Sequence, residues 1–127
     1  MLYLLLICYD PTAERRASEP ASLQPQHAAV EREMRAEGIF VSGAGLMPPE
    51  FVTPVRVRRG AAASIDGPFA ETKELVGGYY VVECKDAADA AKQAARIPVD
   101  SRSWIEARQI ALFHADVDRI SKMPALA

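Results

Sequence analysis

Only two cysteines occur in the 127 residues, at positions 8 and 84. That excludes a disulfide framework and the small secreted folds that depend on one. There is no excess of basic charge either: 15 Lys and Arg stand against 17 Asp and Glu, a formal net charge of −2. A nucleic-acid-binding surface needs a basic face, so that class is set aside. Long apolar runs are missing as well. The opening run, Leu2 to Tyr9, falls far short of the roughly 20 residues of a membrane helix. It has no basic flank of the kind a signal peptide carries, and it runs straight into Asp10-Pro11. The two histidines, His27 and His114, lie far apart, and no Cys/His cluster has zinc spacing. Gly43-Ala44-Gly45 is too short for a phosphate loop, and no Gly-x-Ser-x-Gly elbow occurs. No metal, cofactor, nucleic acid or membrane is therefore expected, and the cytoplasm is the expected location.

Half of the residues are hydrophobic and a quarter charged, enough for one domain with a real core. The reading is a single domain over 1–127, with a core over about 1–113 and a C-terminal tail over 114–127. Leu2 to Tyr9 is short and apolar on both faces, the pattern of a buried strand. Leu23, His27, Val30 and Met34 recur with helical spacing, which predicts a helix over 23–37 with Pro25 in its first turn and Gly38 just past its end. Residues 39–46 read as a second strand. Thr53 to Arg58 alternates and can pair with Ala61 to Ile65 across Arg59-Gly60. Leu75 to Cys84 is a further strand. An alanine-rich helix follows over 86–96, capped by Asp86 and stopped by Pro98. Ile105 to Phe113 reads as the last strand.

This order, β-α-β, hairpin, β-α-β, is that of an α+β domain: the ferredoxin-like split βαβ with an extra β-hairpin. Two helices cover one face of such a sheet. A first strand apolar on both sides leaves the other face needing cover, and a second copy of the same sheet supplies it. A homodimer through the sheet face is therefore expected. Cys8 and Cys84 are expected to be unbridged neighbours, on the assumption that their strands run parallel and side by side.

Asp66-Gly67-Pro68-Phe69-Ala70-Glu71-Thr72-Lys73-Glu74, followed by Gly77-Gly78-Tyr79-Tyr80, resembles the signature of the DGPF-domain group of YCII-related proteins. The resemblance extends over residues 1 to 113 and includes Val55-Arg56-Val57-Arg58 and Ile105-Glu106-Ala107-Arg108. It implies a dimeric α/β barrel, two ferredoxin-like sheets facing each other. It also implies a catalytic His near the start of the first helix, matched by His27 in Gln24-Pro25-Gln26-His27, with a nearby acid for which Glu50 is the nearest match. The associated chemistry is dehydrohalogenation of hydroxylated aromatics. A regulatory role beside an extracytoplasmic-function sigma factor is the other implication.

The residues carry two readings each. His27 lies on the apolar stripe of its helix. It is either a core histidine or a general acid/base, since an imidazole exchanges its proton near neutral pH. Asp66 either closes an Asx-type turn or orients His27 and takes a substrate proton. Glu71 and Lys73 belong to a solvated loop or to a pocket edge. Arg56 and Arg58 guard a sheet edge or bind an anion. Tyr79 and Tyr80 point to opposite faces, one into the core and one, taken as Tyr79, towards a ligand. The functional expectation is a lyase or isomerase acting by proton transfer on a small molecule, with His27, Asp66 and Glu50 catalytic and Glu71, Lys73, Tyr79 and Arg56 binding. The alternative is a non-catalytic regulatory or ligand-binding protein.

Overall fold

The structure is a computed structural model and describes residues 1–58, 60–64 and 74–124. In chain order the elements are β1 (Leu2–Tyr9), α1 (Gln24–Ala36), β2 (Phe40–Gly45), a 3-10 turn (Pro49–Phe51), β3 (Val55–Arg58), β4 (Ala61–Ser64), β5 (Leu75–Glu83), α2 (Ala87–Ala94), β6 (Ser103–Gln109) and α3 (Val117–Lys122). Four strands form one sheet in the order β2-β5-β1-β6, and β3 and β4 form a separate hairpin. Every pairing in the sheet is antiparallel. Among the described residues the chain is thus α+β, with an open four-stranded antiparallel sheet and three α-helices. β1 and β2 run parallel with β5 between them, and β5 and β6 run parallel with β1 between them.

Local chemistry sets the helix ends. Pro25 sits in the first turn of α1, where its missing N–H costs no intrahelical bond. At the other end Gly38 takes φ 75°. Its N–H donates to Arg35 O, and that of Ile39 donates to Met34 O. These two bonds satisfy last-turn carbonyls in a Schellman motif, and Ile39 then enters the core. In α2 the Asp86 carboxylate accepts from Asp89 N at 2.8 Å, while Asp89 accepts from Lys85 N at 2.8 Å. The first bond occupies an N–H that the first turn leaves without an intrahelical partner, and the second ties down the residue before the cap. Arg96 joins the ends of the two helices, meeting the Glu37 carboxylate with both terminal nitrogens at 2.7 and 2.8 Å.

The core lies between the sheet and α1 and α2. Leu5, Met34, Val82 and Ala90 are fully buried there, with Tyr3, Tyr80, Cys84 and Ile97 beside them. Register puts Leu5 opposite Tyr80 and Tyr3 opposite Val82 on the helix face. Leu4 opposite Val81 and Leu6 opposite Tyr79 then occupy the other face. Small residues let α2 pack closely: Ala90 and Ala94 meet the core cluster.

Two expectations are corrected. β1 and β5 are antiparallel, so Cys8 lies opposite Val76 while Cys84 donates its backbone N–H to Met1 O. The two thiols are free and buried at opposite ends of the sheet, because the C-terminal ends of two antiparallel neighbours lie at opposite sheet ends. The last strand begins earlier and ends earlier than expected, at Ser103 and Gln109. Its partner β1 begins at Leu2, whose carbonyl takes the Ile110 N–H, so pairing has no partner residues beyond that point. The C-terminal tail contains α3, capped by Asp116 accepting from Arg119 N at 2.9 Å.

Candidate functional site

α1 carries His27 in its first turn, on the side that faces β5. The ring is half-buried, and its Nδ1 lies 2.7 Å from the Tyr80 hydroxyl. The ring centroids are 5.9 Å apart and tilted by 37°. Tyr80 is itself buried and takes Phe40 edge-on, at 6.2 Å and 87°. The Arg35 guanidinium covers the Phe40 ring at 4.6 Å and pairs with Glu31 at 3.3 Å. His27, Glu31 and Arg35 are successive i, i+4 positions of one helix, which is why they line a single stripe.

Gly-Gly-Tyr-Tyr acquires a physical reading at this point. The register of β1 against β5 skips Gly77, which lies against the Tyr9 ring; a Cβ there would meet that ring at 3.4 Å. A Cβ on Gly78 would come within 2.6 Å of Ala44 O, so glycine is what allows β2 to approach β5. A Cβ on Gly43, opposite Tyr80, would meet Tyr79 O at 3.1 Å and the Phe40 ring at 3.5 Å.

The electrostatics keep both partners neutral. Burial holds the His27 pKa below the ordinary imidazole value. Burial, with the Glu31 carboxylate adding to it, pushes the Tyr80 phenol up to about 12. A neutral imidazole beside a protonated phenol gives the pair two forms. Tyr80 either donates to Nδ1, leaving the proton on Nε2, or accepts from Nδ1–H, leaving Nε2 a free base. Among the described residues the ring makes no other side-chain hydrogen bond.

The remaining expected site residues are distributed differently. Tyr79 and Tyr80 do point to opposite faces, but the tyrosine that meets His27 is Tyr80, and Tyr79 lies on the face away from the helices. Glu50 is exposed in the 3-10 turn, and its neighbours Pro49 and Phe51 line an apolar cleft of about 230 Å³. Asp66, Glu71 and Lys73 lie outside the described residues, as does the side chain of Arg56, whose backbone is in β3. Sequence reasoning passed over Glu31 as an acid near the pair, although its i+4 spacing from His27 was visible. No cluster of three or more His, Cys, Asp or Glu among the described residues could hold a metal ion. Burial raises the Cys8 and Cys84 thiols, the opposite of what a nucleophilic cysteine needs.

The model of the YCII-related domain matches residues 1–114. The chain belongs to the YCII-related family. An uncharacterised protein of Rhizobium meliloti (strain 1021) is 31% identical over 119 residues, which cover 89% of this chain and 94% of that protein. The match places all of β1 to β6 inside the YCII-related domain, and with them His27 and Tyr80. α3 lies beyond it. Among the described residues no helix is long and apolar enough to cross a membrane.

Proposed function

We propose that this YCII-related protein is a small-molecule lyase or isomerase in which His27 exchanges a proton with the ligand through Nε2. The observation that carries the reading is the half-buried contact of His27 Nδ1 with Tyr80 Oη at 2.7 Å. A ring held by one nitrogen, kept neutral by burial and able to take either tautomer, suits general acid/base work near pH 7. Tyr80 positions the ring, and Glu31 is the acid on the same stripe. The ligand class is a small hydroxylated aromatic, as the family resemblance implies. Asp66, Glu71 and Lys73 complete the site in this reading, which keeps the fold a ferredoxin-like split βαβ.

The same reading makes the working unit a homodimer, a dimeric α/β barrel closed through the sheet face away from the helices. Support comes from apolar side chains on that face that the chain's own helices do not cover: Leu4, Leu6, Val76 and Trp104, the last two 41% and 37% exposed. Thermal-shift titration with a panel of hydroxybenzoates and halogenated phenols tests the site. Stabilisation of the wild type by a panel member, lost in His27→Ala, is the expected result. Equal shifts in both proteins, or none in either, reject the catalytic reading in favour of a regulatory protein.

A further inference from the structure

The C-terminal segment is amphipathic, and among the described residues its helix packs against no other element. Beyond β6 it exposes Leu112 (79%), Val117 (72%) and Ile120 (57%), together with Phe113 and Met123. α3 is started by its Asp116 cap, yet it packs against no other described helix or strand. Six residues of helix do not hold together alone in water; helices this short depend on burying an apolar face. Elsewhere the same chain has an apolar cleft of matching character, lined by Tyr9, Leu46, Met47, Phe51, Val52 and Val76. Exposed Glu50 and Glu74 adjoin its lining residues. The exposed polar side of α3 carries Arg119 and Lys122 together with Asp118, behind the Asp116 cap, so the apolar side is what fits the cleft.

We infer that residues 112–123 form an arm that docks into this cleft on a second copy of the chain. The inference rests on the homodimer proposed above, and the reach of the arm decides between the chain's own cleft and the partner's. The arm leaves the sheet at the Leu2 end of β1, where Ile110 N–H meets Leu2 O. The cleft is at the other end, beside Tyr9. Eight strand residues separate the ends by about 25 Å. The linker from Ile110 to Val117 spans about 25 Å only when fully extended, and the chain bends at Ala111. Sheets packed face to face lie about 10 Å apart. The exchange requires a two-fold axis across the strands, which lays the Leu2 end of one copy over the Tyr9 end of the other. The arm then crosses about 10 Å instead of the whole sheet, and by symmetry both arms and both clefts are filled.

Cysteine pairing between separately made full-length chains tests this. Phe51→Cys goes into one chain and Ile120→Cys into a second carrying an affinity tag, both at exposed positions; the native thiols are buried. Mixing and mild oxidation should give a disulfide joining the two kinds of chain through residues 51 and 120. In parallel, Val117→Asp with Ile120→Asp should weaken dimerisation at least tenfold by sedimentation equilibrium. A 51–120 disulfide formed only within a chain carrying both substitutions overturns the exchange. A wild-type dimer that gives no such disulfide and keeps its dissociation constant in the Asp variant also overturns the arm, while leaving the sheet-face dimer standing. A monomeric wild type removes both.

Discussion

His27 is charged at a cost that the fold itself sets. Burial lowers its pKa in the native state, so between the native value and the unfolded value of about 6.5 the unfolded chain binds more protons. Stability from this residue is therefore fully present above about pH 6.5 and falls as the pH drops through that window. Melting temperature should decline from pH 7.5 to pH 5, and His27→Gln should decline less over the same range. An imidazole titration by NMR at or above 6.5 would contradict the burial that the contact with Tyr80 creates. Tyr80→Phe keeps the packing on Phe40 and removes one hydrogen bond, for an expected loss of about 1 kcal/mol in urea unfolding.

The edge of the sheet beside that pair depends on two glycines that behave in opposite ways. A methyl group on Gly78 would come within 2.6 Å of the Ala44 carbonyl, whereas one on Gly45 would meet nothing within 4 Å. Gly78→Ala should force β2 away from β5 and destabilise by about 1–3 kcal/mol. Gly45→Ala should be neutral or stabilise by up to about 1 kcal/mol, through the reduced entropy of the unfolded chain. Equal effects in denaturant melts would show that strand approach is not what selects glycine there. α2 offers a cleaner test of local design. Its alanines supply little area, so the Asp86 cap matters, and Asp86→Ala should lose about 1 kcal/mol.

At the scale of the whole molecule, two faces of one sheet have unequal cover. The helix side holds Leu5, Met34 and Val82 with no exposure to speak of, while on the other side Val81 and Cys8 are buried but Val76 and Trp104 stay exposed among the described residues. Leu6→Glu would place a charge in the middle of the proposed sheet-to-sheet contact. Light scattering should then show a monomer at micromolar concentration where the wild type is a dimer, with helix content retained by circular dichroism. A dimer that survives Leu6→Glu would have to use another surface.

Much of this organisation was legible in the residue order. Hydrophobic spacing marked α1 and put His27 on its buried stripe. Asp86, Pro25 and Gly38 marked helix ends, because capping and backbone preference act within a few residues. Alternation along β5 sent Tyr79 and Tyr80 to opposite faces. None of these signals carries register or strand direction. The pairing of His27 with Tyr80, 53 positions away, follows from β5 lying under α1, and so does the choice of Tyr80 over Tyr79. The separation of Cys8 from Cys84 and the end of β6 at Gln109 were likewise decided by how strands line up in space. Local sequence determines which elements form, since propensity and periodicity are properties of neighbours in the chain. Only packing decides which distant side chains share a site, since that depends on long-range pairing in which every strand constrains the next.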